Sequence, residues 1–291
     1  MERKKKWLLY ALITTVTWGI WGAFSEIPEK HGFPSTLVYV VWAITMIPCA
    51  LVALHNIHWK LDTHWKPVVL SLIVGILGSG GQLLLFQALR QGPAYIIFPI
   101  ISLAPIVTVI MSAAILKEKV AFISRIGIIL AFVSIVCFSI SGNSGDRVQG
   151  YGWLILALIV FACWGVQAFV LKVANNYAPD AESIFVYEAI ASLLFIPIAL
   201  LMTDFSQPIN CSFSGPYASF LIQILNSAGA LALVYAMRYG KAIVVSPLTD
   251  ALSPVITVIL SLIIYATVPP IWQIIGIVSA ITCILCTATQ N

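Results

Sequence analysis

The chain has 291 residues, of which 60% are apolar and 9% charged, with a mean hydropathy of +1.01 and a formal net charge of +4. A soluble domain carries about a quarter charged residues, so this composition excludes a water-soluble globule and makes lipid the solvent for much of the surface. The positive charge does not indicate nucleic acid: Arg3, Lys4, Lys5 and Lys6 stand together before the first apolar run, and no stripe of Lys and Arg interleaved with aromatics follows.

Ten apolar runs follow in order, each near the ~20 residues that a spanning helix needs. Spans one to five cover 7–24, 36–54, 67–89, 94–116 and 126–142. Spans six to ten cover 153–173, 184–202, 217–237, 242–265 and 272–287. The breaks at 28–34, 55–66, 91–93, 117–125 and 143–150 carry turn residues and charge. The basic start and first apolar run resemble a secretory leader. No small-residue cleavage site follows, so the run reads as a retained first span.

Alternating these spans from a cytoplasmic N-terminus tests the orientation. The inside then holds Arg3, Lys4, Lys5, Lys6, Lys60, Lys66, Lys117, Lys119, Arg125, Lys172, Arg238 and Lys241, and the outside only Lys30, Arg90 and Arg147. Positive charge collects on the cytoplasmic side of membrane proteins. Both termini are therefore expected in the cytoplasm, and the membrane is expected to be a bacterial inner (plasma) membrane. Trp7, Trp59, Trp65, Trp153 and Trp272 fall at span ends, as interfacial belt residues do. Trp18, Trp21, Trp42 and Trp164 lie within spans and need another role. The six cysteines and four histidines show no metal-ligand spacing beyond Cys283-x-x-Cys286 in an apolar run, so no metal and no cofactor is expected.

The two halves repeat one another. Trp18-Gly19-Ile20-Trp21-Gly22 matches Trp164-Gly165-Val166-Gln167-Ala168, and Ala88-Leu89-Arg90-Gln91-Gly92 matches Ala236-Met237-Arg238-Tyr239-Gly240. Pro99 and Pro105 match Pro247 and Pro254, and Thr108 matches Thr257, with every offset between 146 and 149 residues. Five spans per half is an odd number, so the second half crosses the membrane upside down. The expected fold class is an all-α membrane protein: ten transmembrane helices as two inverted five-helix repeats, over 7–142 and 151–289. Inverted repeats are the architecture of secondary transporters.

These motifs carry a family resemblance. The chain resembles the EamA-type ten-helix carriers of the drug/metabolite transporter superfamily, as two EamA-like units. Its marks are the Trp-Gly starts of spans one and six, the Ala-x-Arg-x-Gly ends of spans three and eight and the prolines of spans four and nine. The charged end Leu116-Lys117-Glu118-Lys119 also fits, whereas 265–269 lacks the glutamate. The resemblance implies a carrier of small organic solutes. It is similar to proteins that export amino acids and other metabolites by proton coupling or exchange, and some relatives carry nucleotide sugars.

Ionisable groups inside spans are costly and so point to work. Glu188, early in span seven, and Asp250, between Pro247 and Pro254 in span nine, are the coupling candidates. Each can bind a cationic solute group or carry a proton. The competing reading is a carboxylate reaching headgroups or water. Trp18, Trp21, Trp164 and Gln167 are candidates for the wall of a solute cavity, as are Trp42, which matches Glu188 at offset 146, and Tyr187 beside it. Gln82 and Asn226 are amides in mid-span that need partners, from helices or from solute. Helix packing is the alternative for the Trp-Gly pairs and for the glycines of span three. Pro99, Pro105, Pro247 and Pro254 are hinge candidates, because each removes a backbone donor.

No Walker sequence, H-E-x-x-H or G-x-S-x-G occurs, and no pore-filter repeat is present. The reading is a secondary active transporter that moves a small organic metabolite by alternating access, with protons and the lipid bilayer as its other partners. Spans five and ten carry few polar residues and offer a face for a homodimer. A nucleotide-sugar, nucleoside or vitamin carrier and an intramembrane enzyme are the alternatives.

Overall fold

A computed structural model describes residues 6–25, 27–91, 101, 103–119, 122–140, 152–265 and 271–288. In chain order its helices are α1 (Lys6–Phe24), the short α2 (Ile27–Lys30), α3 (Ser35–Asn56), α4 (Trp65–Gln91), α5 (Pro105–Ala114) and α6 (Phe122–Ile140). They continue as α7 (Gly152–Tyr177), α8 (Glu182–Leu194), α9 (Ile196–Leu201), α10 (Ala218–Tyr239), α11 (Ala242–Tyr265) and α12 (Ile271–Ala288). One π-helical turn, Phe213–Tyr217, leads directly into α10. No strand occurs among the described residues.

Hydrocarbon offers backbone groups no hydrogen-bond partner, so an apolar chain in lipid must pair them internally as helix. Among the described residues, six stretches are long and apolar enough to cross a membrane: Lys6–Lys30, Ser35–Asn56, Trp65–Leu85, Gly152–Tyr177, Glu182–Leu201 and Phe213–Tyr239. Four shorter apolar stretches accompany them: Pro105–Ala114, Arg125–Ser134, Ala242–Thr257 and Ile274–Cys283. Large aliphatic side chains such as Leu9, Val52, Ile76, Ile155 and Val278 stand exposed on the helix surfaces. Apolar exposure on this scale belongs against lipid. Interior hydroxyls close back on their own helices, as Thr15 does on the Ala11 carbonyl (2.8 Å) and Ser71 on that of Pro67 (2.7 Å).

The helices pair across the two halves of the chain. α1 lies against α10 and α11, and α4 against α7 and α8. α3 meets α8 and α10, α5 meets α7 and α11, and α6 packs on α12. Glycines set the closest approaches, since a helix without a Cβ lets a neighbouring backbone near. A Cβ on Gly19 would lie 2.5 Å from the Ile256 side chain and 3.0 Å from the Ser253 carbonyl of α11. A Cβ on Gly165 would lie 2.5 Å from the Val107 side chain and 2.6 Å from the Ala104 carbonyl beside α5.

Each of these glycines also accepts a threonine. Thr257 donates to the Gly19 carbonyl and Thr108 to the Gly165 carbonyl, both at 2.8 Å. Thr108→Val and Thr257→Val are each expected to lower stability by about 1 kcal/mol. The losses should add, because the two contacts share no partner. Thermal unfolding in detergent reads both, and a double variant no weaker than either single would contradict independent contacts.

Several local features depart from the sequence reading. The seventh apolar run is not one helix: the chain turns at Phe195, and α9 begins just before Pro197, whose ring and missing donor oppose a continuous helix. Pro105 does not kink a helix interior but opens α5, after a turn at Leu103 and Ala104. First-turn proline is tolerated because its N–H would be unpaired there anyway. α11 runs through both Pro247 and Pro254 as one helix. Pro99 lies outside the described residues, as do the side chains of Arg90 and Pro254. His55, read as a loop residue, belongs to the last turn of α3.

Candidate solute and coupling site

The helix pairing brings the sequence candidates together in two groups. The first lies between α1 and α10. Trp18 seats its indole over Gly229, where a Cβ would lie 2.5 Å from the indole nitrogen, and donates Nε1–H to the Asn226 carbonyl at 3.2 Å. One turn on, Trp21 Nε1 donates to Gln223 Oε1 at 3.1 Å. Gln223 is buried and was not among the sequence candidates. Its signal was available, because an amide one turn before Asn226 lies on the same helix face. Asn226 serves Trp18 through its backbone. The neighbouring Ser227 hydroxyl pairs with Thr45 of α3 at 2.8 Å.

The second group lies where α4 meets α7 and α8. Trp164 fills the space over Gly81 and Gln167 the space over Gly78, each with an atom 2.5 Å from where a Cβ would stand. Gly75 lets α4 close on Ala191 and on the backbone of Glu188. The thin face of α4 is therefore a packing face, and it sets Gln167 beside Glu188. Gln167 Nε2 donates to Glu188 Oε1 at 3.3 Å. Glu188 is only 7% exposed, and its Oε2 has no hydrogen-bond partner among the described residues. Gln82 sits half-buried next to Gly81.

Trp42 stands close to this second group in level. α3 and α8 run antiparallel, as three contacts fix. Tyr39 of α3 donates to the Ser192 carbonyl at 3.0 Å, Thr36 meets Thr203 at 2.7 Å beyond it, and the Asp62 amide after α3 donates to Ser183 Oγ at 3.0 Å. One turn inward from Tyr39 is Trp42. One turn inward from Ser192 is Glu188. The Trp42 indole nitrogen is buried and, like Glu188 Oε2, lacks a partner among the described residues.

Two candidates are placed elsewhere. Tyr187 turns away and donates its hydroxyl to the Asp62 carbonyl at 2.8 Å, on the loop between α3 and α4. Asp250 accepts from Ser246 of its own helix at 3.4 Å. Glu118, part of the charged stretch after α5, reaches across to α11, where its carboxylate accepts the Ala242 and Ile243 amides at 3.4 and 3.1 Å. A carboxylate at a helix N-terminus meets both unpaired donors and the positive end of the dipole. Lys172 donates to the Met237 carbonyl at 2.9 Å and to that of Gly240, at the C-terminal end of α10.

Apolar helices that bury amides, indoles and a carboxylate along their contacts define a helical membrane protein with a polar interior. The EamA-like transporter family matches the chain twice, over residues 5–140 and 151–289. The chain belongs to that family, and it is a membrane transporter of small solutes. An uncharacterized protein of Methanocaldococcus jannaschii is 31% identical over 135 residues, which is 46% of this chain and 96% of that protein. An uncharacterized transporter of Archaeoglobus fulgidus is 28% identical over 181 residues, 60% of each chain. A solved crystal structure superposes with a TM-score of 0.76 at 17% identity, over 96% of this chain and 98% of the other, which shows a shared fold.

Proposed function

We propose that the protein is a secondary active transporter that moves a small organic metabolite, an amino acid or related solute, by alternating access between two inverted halves. The observation that carries this reading is the reciprocity of the helix contacts. Gly19 and Thr257 repeat, between α1 and α11, what Gly165 and Thr108 make between α7 and α5. Trp18 on Gly229 likewise repeats Trp164 on Gly81. Two halves that exchange equivalent contacts can adopt a second packing of similar energy with the roles reversed, which is what opening to the other side requires. The double family match and the half-length Methanocaldococcus relative support a duplicated unit.

In this reading the solute binds between the halves, near Trp18, Trp42, Trp164 and Gln167. Glu188 and Asp250 serve coupling, as proton carriers or as partners of a charged solute. Transport runs as export or exchange, across a bacterial inner membrane with both termini cytoplasmic, as the segregation of Lys and Arg favours.

The test uses purified protein in liposomes loaded with amino acids, nucleosides, vitamins and sugars, with labelled exchange followed at two pH values. Exchange of one solute class that responds to a pH gradient is expected. Exchange indifferent to pH would remove the proton from the scheme and keep the carrier. No exchange of any solute by folded protein would overturn the carrier.

A further inference from the structure

Two unsatisfied groups lie at one level of the α3–α8 pair, as the register of the two helices sets them. Among the described residues, Glu188 Oε2 is a buried acceptor with no donor, and Trp42 Nε1 is a buried donor with no acceptor. Native proteins pair nearly all buried polar groups, so each orphan needs a reason. The nearest polar groups do not supply partners. Gln167 reaches only the other carboxylate oxygen, and the Trp42 carbonyl, not its indole, is used by Thr45 at 2.7 Å. Nor, among the described residues, does a cation answer the carboxylate. Lys172, five residues past Gln167 on α7, has its ammonium on the Met237 and Gly240 carbonyls.

A buried carboxylate asks for a compensating positive charge. An indole N–H at the same level asks for a lone pair. A single small molecule with an ammonium and, a few bonds away, a hydroxyl or carboxylate oxygen meets both demands. The Trp42 ring adds an aromatic wall suited to a cation. The repeat sharpens the point: Trp42 and Glu188 are equivalent positions of the two halves, so the site has one carboxylate and not two. It therefore matches a solute with one positive group.

We propose that Glu188, held by Gln167, and Trp42 form a binding site for a small primary amine that also carries a hydrogen-bond acceptor. The proposal rests on the carrier reading only for the route by which the amine arrives.

The test measures binding to the purified full-length protein in detergent, by thermal stabilisation, so it does not depend on transport. The probes are ethanolamine and glycine, which carry both groups, ethylamine, which carries the ammonium alone, and ethylene glycol, which carries no charge. Ethanolamine or glycine should stabilise most, ethylamine less and ethylene glycol not at all. Glu188→Gln should bind the amines roughly tenfold to a hundredfold more weakly. Trp42→Phe keeps the ring and removes the N–H, so it should erase the advantage of ethanolamine over ethylamine. The ranking of probes on the unaltered protein needs no variant to fold. Equal binding of ethylene glycol and ethanolamine would overturn the site, as would undiminished amine binding by Glu188→Gln or no stabilisation by any amine. Amine binding without exchange in liposomes would instead overturn the carrier and leave the site standing.

Discussion

Gly165→Val is expected to cost about 3 kcal/mol and to remove most of the folded protein from a detergent extract. At Gly165 the backbone of α7 touches α5. The first added carbon alone would sit 2.6 Å from the Ala104 carbonyl and 2.5 Å from Val107 Cβ. The carbonyl is backbone, next to the proline that opens α5, and cannot rotate aside. Separating the helices to make room would also break the bond from Thr108 to the Gly165 carbonyl. Overpacking a tight contact costs about 1–3 kcal/mol, and the lost hydrogen bond about 1 more. Gly80→Ala is the control, because a Cβ there would meet only the Phe195 ring at an ordinary 3.6 Å. It should be neutral or slightly stabilising, since alanine favours helix over glycine by about 0.5–1 kcal/mol. Size-exclusion profiles and thermal unfolding compare the two, and equal behaviour would mean that the α5–α7 contact is not tight.

Arg238→Ala should destabilise by about 3 kcal/mol, because three carbonyls lose a charged donor together. Its guanidinium reaches the carbonyls of Asn175 (2.6 Å), Ala178 (2.6 Å) and Pro179 (2.5 Å). These belong to the C-terminal end of α7 and the turn after it, where helix carbonyls have no partner of their own. One rigid fork thus ties α10 to α7. Arg238→Lys separates this role from a simple positive anchor. A lysine keeps the charge but presents a single point of donation, so it should recover only part of the loss. Full recovery by lysine would mean that charge at the headgroups, not the fork, is what the position supplies.

Arg238 also shows where reading residues one at a time stops. A cation in the last turn of its helix reads as complementing that helix's own dipole. Its hydrogen bonds instead go to another helix, whose end lies some sixty residues earlier in the chain. Gln223 is a similar case. A glutamine in an apolar run is conspicuous, but only the approach of α1 gives it Trp21 as a donor. Tyr187 is the converse, a plausible neighbour of Glu188 that helix rotation turns toward the Asp62 loop. Glu188 was legible because an ionisable group in an apolar run is expensive wherever it points. Gly75, Gly78 and Gly81 announced a thin face of span three, but not that an indole, an amide and the backbone of Glu188 would line up against it.

The sequence by itself determined the solvent and the repeat. Hydropathy is a sum over neighbours along the chain, so the apolar runs identify lipid as the surroundings, and hydrocarbon then leaves helix as the backbone conformation. The matched Trp-Gly, Ala-x-Arg-x-Gly and proline positions are likewise properties of the string of residues. Only the tertiary structure decided which polar groups meet. An interior hydrogen bond depends on the rotation and approach of two helices, and the pairs that matter here, Trp18 with Asn226, Thr257 with Gly19 and Arg238 with Ala178, lie 60 to 238 residues apart. Lipid sets no preference among the faces of an apolar helix, so those rotations are chosen by glycine contacts and buried polar partners and not by the hydrophobic pattern.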